Sequence, residues 1–466
     1  MKFQEFPLMR LLIIVSLLLC LPCAVLAQRK RPTTAAKPKE QKLFPYQYTT
    51  DDLPNGLRLI TVPTDYPNLV ALYIVVQTGS RNEIEPGKSG YAHLFEHLMF
   101  RGSEHFTADQ REEIFKRAGA DTNAYTSDDR TVYHAVFSKE DLDKIFEIEG
   151  DRFQHLKYAP DAYKTETRAV LGEYNKNSAS PFSQLYEKLR ETAFNKHTYA
   201  HTTMGYIKDI EDMPNQYDYS WQFYNRYYRP EYTTIVVVGD VQRDNVLAMV
   251  NKYFGNWKRG DYVPQIPAEP EQTAPREAHV DWASPTLPYI AVAFRGPAYS
   301  DEKKDKAALD LLAAIAFGEN SDLYQRLVLK EQKVDYVTPS FDDQIDGELF
   351  SVFSRVKDQK DVAYVRDQIL ATFKRYTTEL VPQAKLDATR SRTRYSLALG
   401  MNSSEAIASI LAPYISLRRT PETMNQLFAL YGQITPEDIR AAAARYFVDR
   451  SRTIVTLSTK GKGGAE

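Results

Sequence analysis

At 466 residues the chain exceeds what one ordinary core holds, because a domain takes roughly 100 to 200 residues, so two globular units are expected. Its 43% hydrophobic and 26% charged content describe a soluble globular protein, and a formal net charge of only −2 excludes the basic excess that nucleic-acid binding requires. No polyanion partner is indicated.

The chain opens on an export signal. Lys2 and Arg10 precede an almost wholly apolar run from Leu11 to Ala27, and Val25-Leu26-Ala27 ends in a small residue suited to cleavage before Gln28. The rival reading is an uncleaved membrane anchor, since the run approaches the shortest spanning helix, but Pro22 and the small residues near its end argue for cleavage. Both cysteines, Cys20 and Cys23, fall inside this segment, so the mature fold needs no disulfides; Leu19 and Pro22 stand where lipidation of a cysteine would require a small residue. The expected location is outside the cytoplasm, in the periplasm, with the extracellular medium or a membrane tether as alternatives.

Residues 28–43, rich in Lys, Arg, Pro, Thr and Ala, have too little apolar content to pack and read as a tether. Folded structure begins near Phe44. Asn55-Gly56 is a turn signal, and the alternating runs Leu57–Val62 and Leu69–Gln77 predict a strand hairpin. The period then changes to helical over Gly90–Met99 and again over Ala108–Ala118, which ends at Gly119. Thr122–Val136 reads as a strand pair, Lys139–Leu156 and about Pro160–Asn177 as helices, Tyr232–Val241 as a buried strand and Arg243–Phe254 as a helix. Pro264, Pro267, Pro270 and Pro275 then interrupt any regular element and mark a semi-rigid linker over 257–276. Beyond it the order repeats: strand Tyr289–Phe294, helices Lys304–Phe317 and Leu323–Glu331, strand Leu349–Val356, helix Val362–Leu380, further helices and a last strand Arg452–Leu457. The expected organisation is a first domain over 44–256, a second over 277–458 and a tail over 459–466.

Seven of the eight histidines lie at or before position 201, which puts the chemistry in the first half. His93-Leu94-Phe95-Glu96-His97 is the decisive segment, because four residues on a helix return to nearly the same face and let two imidazoles meet one ion. Glu96 shares that side, where a carboxylate takes a proton from water activated by zinc. A third ligand must come from elsewhere in the first half. Glu173 is the choice: Glu166 and Glu173 are seven apart on a helix and share a face, giving one ligand and one partner that orients a ligand or water. An exposed helix face with solvated charges would account for a single histidine, but not for the whole set.

The same residues carry a family resemblance. The His93–His97 segment is the inverzincin arrangement, and from about residue 46 to 458 the chain resembles the pitrilysin/insulinase family of zinc metallopeptidases, in a bacterial form close to the mitochondrial processing peptidase type. Leu53-Pro-Asn-Gly-Leu57, Gly79-Ser-Arg81, Ala92–Phe100, Asn123-Ala-Tyr-Thr126, Glu166–Glu173 and His201-Thr-Thr-Met-Gly205 support it. The resemblance implies an α+β fold of two homologous domains, each a mixed, mostly antiparallel sheet packed with helices, which together enclose a chamber like a clamshell. It implies one Zn2+ per chain on His93, His97 and Glu173, with Glu166 supporting catalysis. It also makes Asn123, Ala124 and Tyr125 substrate contacts through strand addition; an ordinary edge strand is the equal alternative.

One family feature is missing. Active members use an Arg and a Tyr seven residues apart in the silent half. Here Tyr336 is the possible match, but Leu329 stands seven before it, and the nearest arginine, Arg326, reads as a solvated helix residue. The expectation is therefore an endopeptidase for unfolded or short polypeptides that forms the metal-bearing half of a heterodimer with a homologous Arg/Tyr-bearing chain, or a homodimer. A binding or assembly subunit without turnover is the alternative, and a zinc enzyme acting on something other than peptides is a third.

Overall fold

The computed structural model describes residues 42–461. The expected signal peptide, nearly all of the tether and the end of the tail lie outside the described residues. Two sheets organise the fold. The first contains β1 (Thr49–Asp52), β2 (Arg58–Pro63), β3 (Leu69–Val76), β4 (Asp121–Thr126), β5 (Thr131–Ser138) and β6 (Thr233–Gly239) in the order β1-β2-β6-β3-β5-β4. The second contains β7 (Arg276–Trp282), β8 (Tyr289–Arg295), β9 (Val334–Ser340), β10 (Leu349–Val356) and β11 (Arg452–Thr459) in the order β7-β11-β8-β10-β9.

The two sheets repeat one topology. β6 lies between β2, its parallel neighbour, and β3, its antiparallel neighbour, and β11 lies in the same way between β7 and β8. In each sheet an antiparallel pair follows, β5 with β4 and β10 with β9, leaving β4 and β9 as equivalent open edges. The chain is thus an α+β protein of two like halves, joined by residues 257–275, which hold neither helix nor strand.

Two expectations change, and two strands go unforeseen. The hairpin at Asn55-Gly56 joins β1 to β2, and β2 and β3 are not neighbours because β6 inserts between them. The physical reason is burial on both faces: Leu59–Val62 and all of β6 are buried, so the alternation in these runs marks no solvent face and does not set the pairing. Leu323–Glu331 is not one α-helix but a short turn, Asp322–Tyr324, continued as a π-helix over Gln325–Lys330. β7 and β9, each half-exposed at a sheet edge, lacked an apolar run to announce them.

The halves also exchange helices. Pro181–Ala193 of the first half packs Leu185, Leu189 and Ala193 against Ala291, Ala293, Val455 and Leu457 of the second sheet. In return Ser404–Arg418 of the second half lays Ile407, Leu411 and Ile415 on Ile60, Val75, Val236 and Val238 of the first. Each sheet therefore buries its outer face only with help from the other half, at about 1.5–3 kcal/mol for each large apolar side chain covered. Leu411→Ala is expected to cost about 2–5 kcal/mol and to destabilise both halves in one urea transition. Two separated transitions would contradict this coupling.

Candidate metal centre

The Tyr91–Leu98 helix divides its faces by chemistry. Tyr91, Leu94, Phe95 and Leu98 are buried in the first-half core, while His93, Glu96 and His97 recur on the other side at helical spacing. Tyr133 of β5 donates its hydroxyl to Phe95 O at 3.0 Å and so ties the helix to the sheet.

The start of this helix is fixed from outside. Gly90 caps it with φ 91°, a left-handed conformation, and has no side chain to offer. A Cβ there would lie 2.8 Å from Met204 O. Glu83 supplies the cap instead: its fully buried carboxylate accepts the Gly90 N–H and the Ala92 N–H, both at 2.7 Å. Burial pushes this carboxyl well above its ordinary value, opposed by the two N–H donors; the positive end of the helix also favours the ionised form. Asp209 fixes the preceding residue, accepting the Ser89 hydroxyl at 2.6 Å.

The second contributor is the long Pro160–Ser178 helix, which brings Glu166 and Glu173 to the histidines. Glu173 Oε2 lies 3.5 Å from His93 Nε2 and 3.6 Å from His97 Nε2. One donor atom from each of these three residues lies within 4.8 Å of the other two, the one such group among the described residues. Two imidazoles and a carboxylate are the donor types that suit zinc while leaving a coordination position open, so this set fits the ion. The hydrogen bond from His93, ahead of the opposing effect of burial, holds the Glu173 carboxyl down at about 2, so it is ionised.

Glu166 does a different job. Its Oε2 lies 3.3 Å from His97 Nδ1, and the Arg101 guanidinium pairs with its other oxygen. Burial opposes ionisation here, but the His97 hydrogen bond and the charge of Arg101 outweigh it and keep the carboxyl below its ordinary value. With Nδ1 engaged as donor, His97 presents the Nε2 lone pair to the metal side. His93 has no such partner among the described residues, where its Nδ1 is buried without a hydrogen bond.

Glu96 Oε2 accepts the hydroxyl of Thr126, the last residue of β4, at 2.8 Å. The open edge of the sheet therefore ends beside the carboxylate. Asn123 and Tyr125 are accessible on β4 and Ala124 is buried. Past Glu173, a cleft of about 220 Å³ is lined by Tyr174, Asn177, Phe182, Tyr186, Glu187 and Met204. Among the described residues no hydrogen bond or packing contact joins Tyr336 to this group. It sits opposite Arg355 on β9 and packs against the Pro181–Ala193 helix and second sheet.

Sequence reasoning missed Glu83, Arg101 and Thr126. Glu83 lies two residues past the Gly79-Ser-Arg81 segment, and its position ahead of a helix that begins with a bare glycine was the available signal. Glu83→Gln sets an amide N–H against a backbone N–H of the helix start; it is expected to lower stability by about 1–3 kcal/mol, read from the urea midpoint, and an unchanged midpoint would contradict the capping role.

The sequence profile described as Insulinase (Peptidase family M16) matches residues 59–206, and that described as Peptidase M16 inactive domain matches 216–393. The chain is 28% identical over 432 residues to the zinc protease PqqE of Helicobacter pylori, covering 91% of this chain and 96% of that one. It is 24% identical over 443 residues to the probable mitochondrial-processing peptidase subunit beta of Schizosaccharomyces pombe, covering 92% and 93%. Among solved structures, a protease from Helicobacter pylori superposes with a TM-score of 0.82 at 27% identity over 89% of this chain and 99% of that one. The fold is also that of the periplasmic protease PqqL from Escherichia coli, with a TM-score of 0.71 at 20% identity over 89% of this chain and 48% of that one. The two matched segments, which hold the His93, His97 and Glu173 group in the first and the repeated topology in the second, make this chain a member of the M16 (insulinase/pitrilysin) peptidase family.

Proposed function

We propose that this chain is a zinc-dependent endopeptidase for unfolded or short polypeptides. The observation that carries the reading is the convergence of His93 and His97, on the helix that also carries Glu96, with Glu173 of the Pro160–Ser178 helix, all within 4.8 Å and beside the open edge of β4. His93, His97 and Glu173 would hold the ion. Zinc supplies Lewis acidity there, polarising a scissile carbonyl and lowering the pKa of water towards about 7.

The protein's own groups do the rest. Glu96 takes the proton from the attacking water and delivers it to the leaving amine. Glu166, backed by Arg101, holds His97 in one tautomer and orientation. An extended peptide pairs along β4 past Asn123, Ala124 and Tyr125, which selects for unfolded backbone more than for sequence. The cleft beside Glu173 takes one of its side chains.

The place of work is outside the cytoplasm, most simply the periplasm, as the sequence of residues 1–27 and the location in the name of the Escherichia coli protein suggest. No helix among the described residues is long and apolar enough to cross a membrane.

The test of the reaction compares zinc content and peptide hydrolysis for the wild-type chain and Glu96→Gln, keeping any co-purifying homologue bound. The variant should retain zinc and lose at least about 100-fold in rate; equal hydrolysis by both would exclude the mechanism.

The second half lacks an arginine seven residues before Tyr336, where Leu329 stands, and this motivates a partner. A relative named as a subunit supports a two-chain arrangement. The chain alone should cleave peptides poorly and gain activity when a homologue carrying the Arg/Tyr pair but no metal set is added. Full activity in isolation, with no self-association, would rule that out.

A further inference from the structure

Glu96 receives one hydrogen bond among the described residues, from the Thr126 hydroxyl to Oε2 at 2.8 Å. The hydroxyl also lies 3.5 Å from Ala92 O, wedged between the helix backbone and the carboxylate. Thr126 belongs to the sheet and not to the metal-bearing helix, so this contact sets the base relative to the strand edge where a peptide would lie.

The position of Thr126 is itself held from several sides. It leads into a tight turn closed by Ser127 N–H to Arg130 O at 2.8 Å. The turn packs so closely on residues 79–81 that a Cβ on Gly79 would lie 2.1 Å from Ser127 O, and Arg81 N–H donates to Asp128 O at 2.8 Å. Asp128 accepts the Ser80 hydroxyl at 2.7 Å and Arg190 Nη1 at 2.9 Å. Asp129 accepts the Tyr199 hydroxyl and, from the second half, the Ile345 N–H, both at 2.7 Å. A turn pinned this way cannot drift to follow a mobile carboxylate; the carboxylate must follow it.

We propose that Thr126 is a positioning residue for the base: its hydroxyl fixes the Glu96 carboxylate in the orientation used for proton transfer, on a turn that both halves of the chain hold in place. The proposal rests on the peptidase reading of the site. A carboxylate that loses its donor samples other rotamers, and each one removes it from the water it must deprotonate.

Thr126→Val keeps the shape of the side chain and removes the hydroxyl; Thr126→Ser keeps the hydroxyl. For the valine variant kcat should fall about 10- to 100-fold, the range set by loss of one hydrogen bond to a charged group, with KM and zinc content unchanged. The serine variant should recover most of the rate, which a merely structural loss would not allow. Crystal structures of the wild type and Thr126→Val supply a readout independent of turnover: the Glu96 carboxylate should leave its wild-type position in the valine variant. An unmoved carboxylate, or an unchanged kcat, overturns the proposal. If the wild type, assayed with any co-purifying or added homologue, hydrolyses no peptide, the peptidase reading fails, and the position of Glu96 in the two structures still decides the role of Thr126.

Discussion

The site depends on the buried carboxylate of Glu83. Two helices must deliver donor atoms to one point, and the shorter, Tyr91–Leu98, is only eight residues long. A helix of that length has no stability of its own in water. Its apolar face is held by the core and the unpaired N–H groups at its start by Glu83, which reaches back from outside the helix. With the start fixed, His93 and His97 are placed to within a side-chain rotamer, and Glu173 closes the set from the long Pro160–Ser178 helix. Polar groups then settle the details: Glu166 holds one imidazole through Nδ1, Arg101 holds Glu166, and Thr126 meets Glu96.

The second half contributes by packing. It repeats the strand order of the first, but its helices carry no histidine, and its only histidine, His279, lies on β7. Its Ser404–Arg418 helix covers one face of the first sheet, and its loop reaches the turn after β4 through Ile345. Arg81 and His197 of the first half both meet Asp346 of that loop, at 2.5 and 3.0 Å. Burial opposes the charge on Asp346, yet the hydrogen bonds from His197 and Arg81 and the Arg81 charge hold its carboxyl down at about 2. The seam between the halves is therefore ionic as well as apolar.

Much of this was legible in the sequence, for identifiable reasons. The spacing of His93, Glu96 and His97 and of Glu166 and Glu173 obeys helical geometry, which is local, so their shared faces followed from the residues alone. The strand pair over Thr122–Val136 and the buried strand before Arg243 were equally local. What stayed hidden was set by distant contacts. Nothing between residues 57 and 77 announces that β6, from more than 150 residues later, inserts between β2 and β3. Nor does the amphipathic Pro181–Ala193 helix say which sheet it covers. The roles of Glu83 and Thr126 depend on which backbone or carboxylate they meet, and charge or hydroxyl alone does not reveal that.

The central claim is that His93, His97 and Glu173 hold a zinc ion. Anomalous diffraction from crystals of the zinc-loaded protein, collected on both sides of the zinc absorption edge, tests it most directly. The account predicts one strong peak per chain, bonded to His93 Nε2, His97 Nε2 and a Glu173 carboxylate oxygen. A zinc-loaded protein with no peak there, or with its peak on other residues, would contradict it.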